Sequence, residues 1–245
     1  RYKEIYYLLL GKIKEFAYFF DYVDFSCTSK PVVDLIRDVF DGEICEHSKL
    51  EEIVEKYPIA LAYAVSLLAC RDHQSITPPW VAKSFPEVED IIHELRGISC
   101  NDCSYCVEHL NVKRGLKLFF GYDEFRSYNG EPLQEQAALS AIKGESLLAV
   151  FPTGGGKSIT FQLPALMAGE AEHGLTVVIS PLQSLMKDQV DNLNQKGISE
   201  ATTINGSQDP LERKQELERL ESGAATLLYI SPEQLRSRTI ERILQ

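Results

Sequence analysis

Residues 151–166 read FPTGGGKSITFQLPAL: three glycines, a lysine and a serine between two apolar segments. Glycine lets the backbone curl and leaves no Cβ in the way, so such a loop can turn several N–H groups toward one anion. A helix that starts directly after the loop adds its positive N-terminal end. Lys157 then reaches the β- and γ-phosphates of a nucleotide, and the Ser158 hydroxyl holds Mg2+. The general template G-x-x-x-x-G-K-[ST] is met by Gly156, Lys157 and Ser158, but its first position is Phe151. A flexible turn between strand and helix is the competing reading. The flanking apolar segments favour a phosphate cradle built from Thr153, Gly154, Gly155, Gly156, Lys157 and Ser158, with Lys157 and Ser158 as the catalytic pair.

Working outward, LLAVF (147–151) reads as a short buried strand ahead of the loop, and the segment after it as a helix. TVVISP (176–181), ATTIN (201–205) and ATLLYIS (225–231) are further strand candidates, separated by the helical patterns LQSLMKDQVDNLNQKG and DPLERKQELERLESG. Strand and helix in alternation predict a parallel sheet covered by helices, and the apolar runs suit strands buried on both faces. The expected class is α/β from about residue 115 to 245.

Residues 1–96 differ. YYLLLGKIKEFAYFFDYV has helical spacing, and SKPVVDLIRDVF has Ser29 as a helix cap. SKLEEIVEKY and SFPEVEDIIHELRG each show a capping-box pattern, Ser48 with Glu51 and Ser84 with Glu87, and Gly97 reads as a stop. QSITPPW (74–80) is a turn or extended link because paired prolines exclude a helix interior. Residues 1–114 are thus expected to be a mainly helical module that ends in a cysteine-rich turn.

That turn, CNDCSYCVEH, places Cys100, Cys103 and Cys106 at C-x2-C-x2-C spacing, with His109 three residues on. Three of six cysteines within seven residues suit metal ligation better than a disulfide framework, and imply a reducing compartment. Zinc and an iron–sulfur cluster both fit the spacing. Cys70 is the expected fourth ligand, with His73 and His109 as replacements for zinc. Cys27 and Cys45 are expected to pack as small apolar residues, and Trp80 to pack between helices rather than stack a base.

The net charge is −11, with the acidic excess spread over both halves. Nucleic-acid binding must then rest on local contacts that offset a repulsive mean field. The longest apolar run, PIALAYAVSLLA (58–69), is too short to span a bilayer, so no membrane association is expected. The chain starts at Arg1 and stops at Gln245, each inside a helical pattern, and reads as a piece of something longer.

Five stretches resemble one family in order: FGYDEFR (120–126), PTGGGKS (152–158), FQLPAL (161–166), SPLQSLMKDQV (180–190) and LLYISPEQL (227–235). Over about residues 115–245 the chain is similar to the first motor domain of RecQ-type, superfamily 2, ATP-dependent DNA helicases. The first glycine of the phosphate loop is often absent there too. The resemblance implies a RecA-like P-loop fold, ATP with Mg2+ as cofactors, and DNA as partner, single strand or duplex junction. It implies an adenine site of Tyr122 stacking on the base, Arg126 holding the nucleotide and Gln134 reading the adenine edge, with Gln136 as competitor. SYNGEP then counts as a small insertion. It further implies DNA-phosphate contacts at Ser180, Pro181, Lys187 and Ser231, and a cytoplasmic or nuclear location. No DExH-type stretch and no second motor domain occur between 1 and 245, so this piece is expected to bind ATP without useful turnover. A nucleotide-gated scaffold that never unwinds DNA is the alternative.

Overall fold

The computed structural model describes residues 29–69, 77, 79–206 and 208–243. The chain divides into two compact units, one ending at Leu110 and the other resuming at Asn111. The helix Val112–Phe120 lies wholly in the second unit, so the change of unit falls four residues before the 114/115 boundary expected from the sequence.

In the first unit the described helices are α1 (Ser29–Val39), α2 (Leu50–Lys56), α3 (Pro58–Ala69), α4 (Pro79–Ser84), α5 (Glu87–Arg96) and α6 (Ser104–His109). Each amphipathic helix sends one stripe inward: Val32 and Ile36 from α1, Leu50 and Val54 from α2, Val88, Ile91 and Leu95 from α5. α3 is apolar on all sides and sits within this core, with Leu61, Ala64 and Val65 buried. Neither capping box forms. α2 starts one residue late, with Lys49 at its N-cap, and Ser48 is buried with no partner for its hydroxyl. α5 has Pro86 at its N-cap, and Ser84 closes the preceding helix instead. Both serines are spaced correctly, but each lies one or two residues outside the position from which its oxygen reaches the first-turn N–H groups. Trp80 is exposed and meets the Tyr63 ring edge-on at 5.6 Å.

The second unit is α/β. α7 (Val112–Phe120) is capped by Asn111, whose side chain accepts from the N–H groups of Lys113 and Arg114, and stops at Gly121 with φ +71°. α8 (Leu133–Ile142) and α9 (Ile159–Glu172) follow. The series then runs β1 (Thr176–Ile179), α10 (Gln183–Gln195), β2 (Ala201–Ile204), α11 (Pro210–Glu221) and β3 (Leu227–Ile230). A 3-10 turn (Pro232–Arg236) and α12 (Arg238–Ile243) close it. The three strands are parallel in the order β1-β3-β2, with Thr176 and Ala201 both in register with Leu227. β3 is central and buried along its whole length: Leu227 and Tyr229 face a core shared with α7, α9 and α10, and Leu228 and Ile230 face one shared with α11 and α12. This is the helix-covered parallel sheet of a RecA-like fold.

One expected strand is absent. Residues 147–151 carry no strand, and Leu148 is 91% and Val150 81% exposed, while Phe151 is buried. A strand exists only through its ladder, and no described strand pairs with this segment. Among the described residues no helix is long and apolar enough to cross a membrane.

Candidate functional site

The glycine loop is shaped as its composition demands. Gly154 and Gly156 have φ of +76° and +67°, where a side chain is strained. A Cβ on Gly155 would lie 2.8 Å from the Pro152 carbonyl oxygen, and one on Gly156 would lie 2.8 Å from Gln134 Nε2. The segment 122–134 closes around the loop. Arg126 donates from its guanidinium to the Gly154 carbonyl at 3.0 Å, and Gln134 donates from Nε2 to the Gly156 carbonyl at 2.8 Å. Gln134 also accepts from the Arg126 backbone N–H at 2.8 Å, so both ends of its buried amide are engaged. Gln136, two residues further along the same helix and so on its opposite side, is exposed.

Lys157 donates to the Phe151 carbonyl at 2.8 Å and remains exposed. Ser158 stands at the N-cap of α9 without a side-chain capping bond, and Thr153 is exposed at the loop's rim. Tyr122 lies parallel to Phe120 at 6.5 Å, and Lys196 stands 5.0 Å from its ring centre. The ring is half-open to solvent, and Lys196 covers part of it.

Tyr128 escaped the sequence reading. Asn129 and Gly130 both have positive φ, and Tyr128 pairs with Glu131 across them as a two-residue hairpin. That geometry turns the Tyr128 hydroxyl onto the Gly155 carbonyl and its ring onto Phe151 at 5.1 Å. The signal was present: an Asn-Gly pair marks a type I′ turn, so the insertion was legible as a hairpin.

At the C-terminal end of β1, Ser180 donates its N–H to the Ile230 carbonyl at 3.0 Å, and its hydroxyl accepts from Leu182 N–H at 3.4 Å. Pro181 and Lys187 are exposed beside it. Ser231 is only 3% exposed, and the Glu233 carboxyl is held below its usual range by its own backbone N–H and by the Ser231 hydroxyl. Beneath the surface, Gln162 of α9 donates to Gln189 of α10 and to the Tyr229 hydroxyl of β3, each at 2.8 Å. Burial pushes Tyr229 up to about 12.

In the first unit, Cys100, Cys103 and Cys106 meet a fourth thiol, Cys45, with all Sγ atoms within 4.8 Å of one another. Cys45 was expected to be plain packing. Cys70 and His73, the expected partners, lie outside the described residues, as does Cys27. His109 stacks on Tyr105 at 4.8 Å. Burial pushes Cys45 up to about 11 and Cys106 higher still. Burial raises Cys100 too, but N–H groups of Asp102 and Cys103 and the His47 side chain outweigh it and bring Cys100 down to about 6. His47 is in turn raised, first by Cys100 and then by Asp102, whose carboxylate lies 3.4 Å from its Nδ1.

Fold and loop together define a RecA-like P-loop segment, and residues 131–244 match the family model described as DEAD/DEAH box helicase. Within that class the segment is similar to helicases of the RecQ type. It is 46% identical over 130 residues to the ATP-dependent DNA helicase RecQ of Bacillus subtilis, covering 53% of this chain and 20% of that protein. It is 43% identical over 129 residues to the RecQ of Haemophilus influenzae, covering 53% of this chain and 19% of the relative. With the Synechocystis RecQ the figures are 42% over 135 residues, 55% and 26%. The chain thus spans about a fifth to a quarter of the length of these three relatives.

Proposed function

We propose that this chain is the ATP-binding portion of an ATP-dependent DNA helicase. One observation carries the reading: Arg126 and Gln134 reach across more than twenty residues of sequence to the Gly154 and Gly156 carbonyls, so the adenine-side segment and the phosphate loop form one site. The loop fits a triphosphate. Its glycines leave no Cβ in the curl, its lysine is exposed, and it opens onto the N-terminus of the fourteen-residue α9. Thr153–Ser158 would hold the phosphates, with Lys157 supplying the cation and Ser158 a ligand for Mg2+. Bound Mg2+ supplies positive charge on the phosphate oxygens. Tyr122 and Arg126 would hold the base and sugar side, with Lys196 moving off the Tyr122 ring. Beyond its bonds to Gly156 and Arg126, Gln134 keeps a second amide hydrogen and a second oxygen lone pair for the adenine edge, which makes it the link between base recognition and loop shape.

DNA contacts are proposed at Ser180, Pro181 and Lys187, at the carboxyl edge of the sheet where ligands of open α/β folds bind. Ser231 fits that role poorly as it stands, because it is buried and bonded to Glu233. The net charge of −11 favours a second reading, a nucleotide-gated scaffold. We also propose that the cysteine turn holds a metal centre, built on Cys100, Cys103 and Cys106.

Calorimetric titration with ATP and Mg2+ tests the main reading. Wild-type chain binds, and Lys157→Ala weakens binding about 10–100-fold, because a hydrogen bond to a charged group contributes about 1.5–3 kcal/mol. Equal affinity of the two proteins overturns it.

A further inference from the structure

We infer that Cys45 completes a mononuclear tetrathiolate site with Cys100, Cys103 and Cys106, taking zinc rather than an iron–sulfur cluster. This rests on the proposal that the cysteine turn binds metal, and adds the fourth ligand and the number of metal atoms.

The distances decide between one metal and a cluster. A tetrahedral zinc thiolate has Zn–S of about 2.3 Å, which places neighbouring sulfurs about 3.8 Å apart. Here Cys45 and Cys103 Sγ are 4.0 Å apart, and all four sulfurs lie within 4.8 Å of one another. A tetrahedron with a 4.0 Å edge has its centre about 2.4 Å from each corner, room for one ion with a slight contraction. In a [4Fe–4S] cube each thiolate binds a different iron, so the cube itself stands between the sulfurs and spreads them well beyond this spacing.

Two segments far apart in sequence are built to bring the sulfurs here. Cys45 donates its backbone N–H to the Leu95 carbonyl at 2.8 Å, and Arg96 donates to the Glu43 carbonyl at 2.9 Å. These bonds fasten the loop after α1 to the end of α5. On the other side, Cys103 N–H points at Cys100 Sγ at 3.4 Å, and Cys106 N–H at Cys103 Sγ at 3.5 Å. Backbone N–H groups directed at sulfur stabilise thiolate, the form that binds metal. A disulfide does not account for the arrangement: the cysteines are free, and 4.0 Å is about twice an S–S bond. Packing as four small apolar groups leaves Cys100 unexplained, since it is half-exposed. His47 and Asp102 lie on the solvent side of Cys100 and suit an outer partner that balances thiolate charge.

The test uses the whole chain, stripped of metal under reducing conditions and titrated with cobalt(II), then zinc. The expected result is one cobalt per chain with the visible bands of a tetrahedral thiolate, displaced by zinc. Cys45→Ser should weaken binding by more than the ~10–100-fold that loss of an outer partner costs. Cys70→Ser should leave it unchanged. If Cys45→Ser binds as wild type does, or Cys70→Ser fails to bind, the assignment of Cys45 is overturned while the metal reading stands. A chain that takes up neither metal overturns both. Should Cys45→Ser misfold, X-ray absorption of the zinc-loaded Cys70→Ser variant decides: four sulfurs at about 2.3 Å support the site. Three sulfurs with one nitrogen overturn it in favour of a histidine, and iron with the absorption of a cluster overturns the single-metal claim.

Discussion

Tyr229 shows how one residue ties the strand core to the site. Its hydroxyl lies in the centre of the sheet and accepts from Gln162, whose other amide hydrogen goes to Gln189. Burial disfavours the phenolate and moves the group from its ordinary value of 10.0 to about 12. The folded value lies above the unfolded one, so the folded protein holds the proton more tightly. The stabilisation is complete below pH 10 and is lost as pH rises toward 12, with a limiting slope of about 1.4 kcal/mol per pH unit. Tyr229→Phe should cost about 1 kcal/mol near neutral pH through the lost hydrogen bond. The variant has no proton to lose, so its deficit should shrink between pH 10 and 12. Urea unfolding of both proteins at several pH values checks this; a constant deficit would show that Tyr229 is not held neutral by the fold. Individual residues were unevenly legible. The proposed phosphate residues Lys157, Ser158 and the glycines can be named from local chemistry, because such a loop is contiguous in sequence. Cys45 does not, because it lies 55 residues before Cys100 and only the α1–α5 junction brings them together.

At the scale of elements, α9 follows the proposed phosphate loop and lies close to the sheet. Gly169 makes this approach possible: a Cβ there would fall 2.5 Å from Thr226 Oγ1 and 2.7 Å from Thr226 Cβ. Gly115 plays the same part where α7 meets α9, with Met167 Sδ 2.8 Å from the added carbon, but a methionine can swing aside. A β-branched threonine at the head of β3 is stiff. Gly169→Ala is therefore expected to destabilise the second unit by about 1–3 kcal/mol despite alanine's better helix propensity. Gly115→Ala should cost less. The urea midpoints of the two variants give the order, and a stabilised Gly169→Ala would mean that α9 stands further from the sheet. The alternation of strand and helix was readable for β1, β2 and β3 to within two residues at each end. Residues 147–151 were misread because periodicity reports what a segment is suited to, and the ladder that makes it a strand belongs to other residues. The capping boxes at Ser48 and Ser84 failed for a similar reason: the motif sets the spacing, while packing of Leu50 and Val88 into the core sets where each helix starts.

The whole molecule carries a charge of −11, and the DNA binding proposed at the β1–α10 face would have to work against it. Lys187 is the only lysine or arginine among the residues proposed there, and the acidic excess extends over both halves of the chain. Each phosphate neutralised on a single strand contributes about −0.7 to the slope of log affinity against log salt. With one or two such contacts, raising salt from about 50 to about 200 mM weakens binding at most about sevenfold. A basic groove with about eight contacts would lose more than about a thousandfold over the same range. Added salt also screens the repulsive mean field and flattens the slope further. The expectation is weak, shallow salt dependence for a labelled single strand followed by fluorescence anisotropy, with Lys187→Glu removing most of the remaining affinity. A steep slope that survives Lys187→Glu would place the DNA path on another face and leave Ser180, Pro181 and Lys187 as helix-start structure alone.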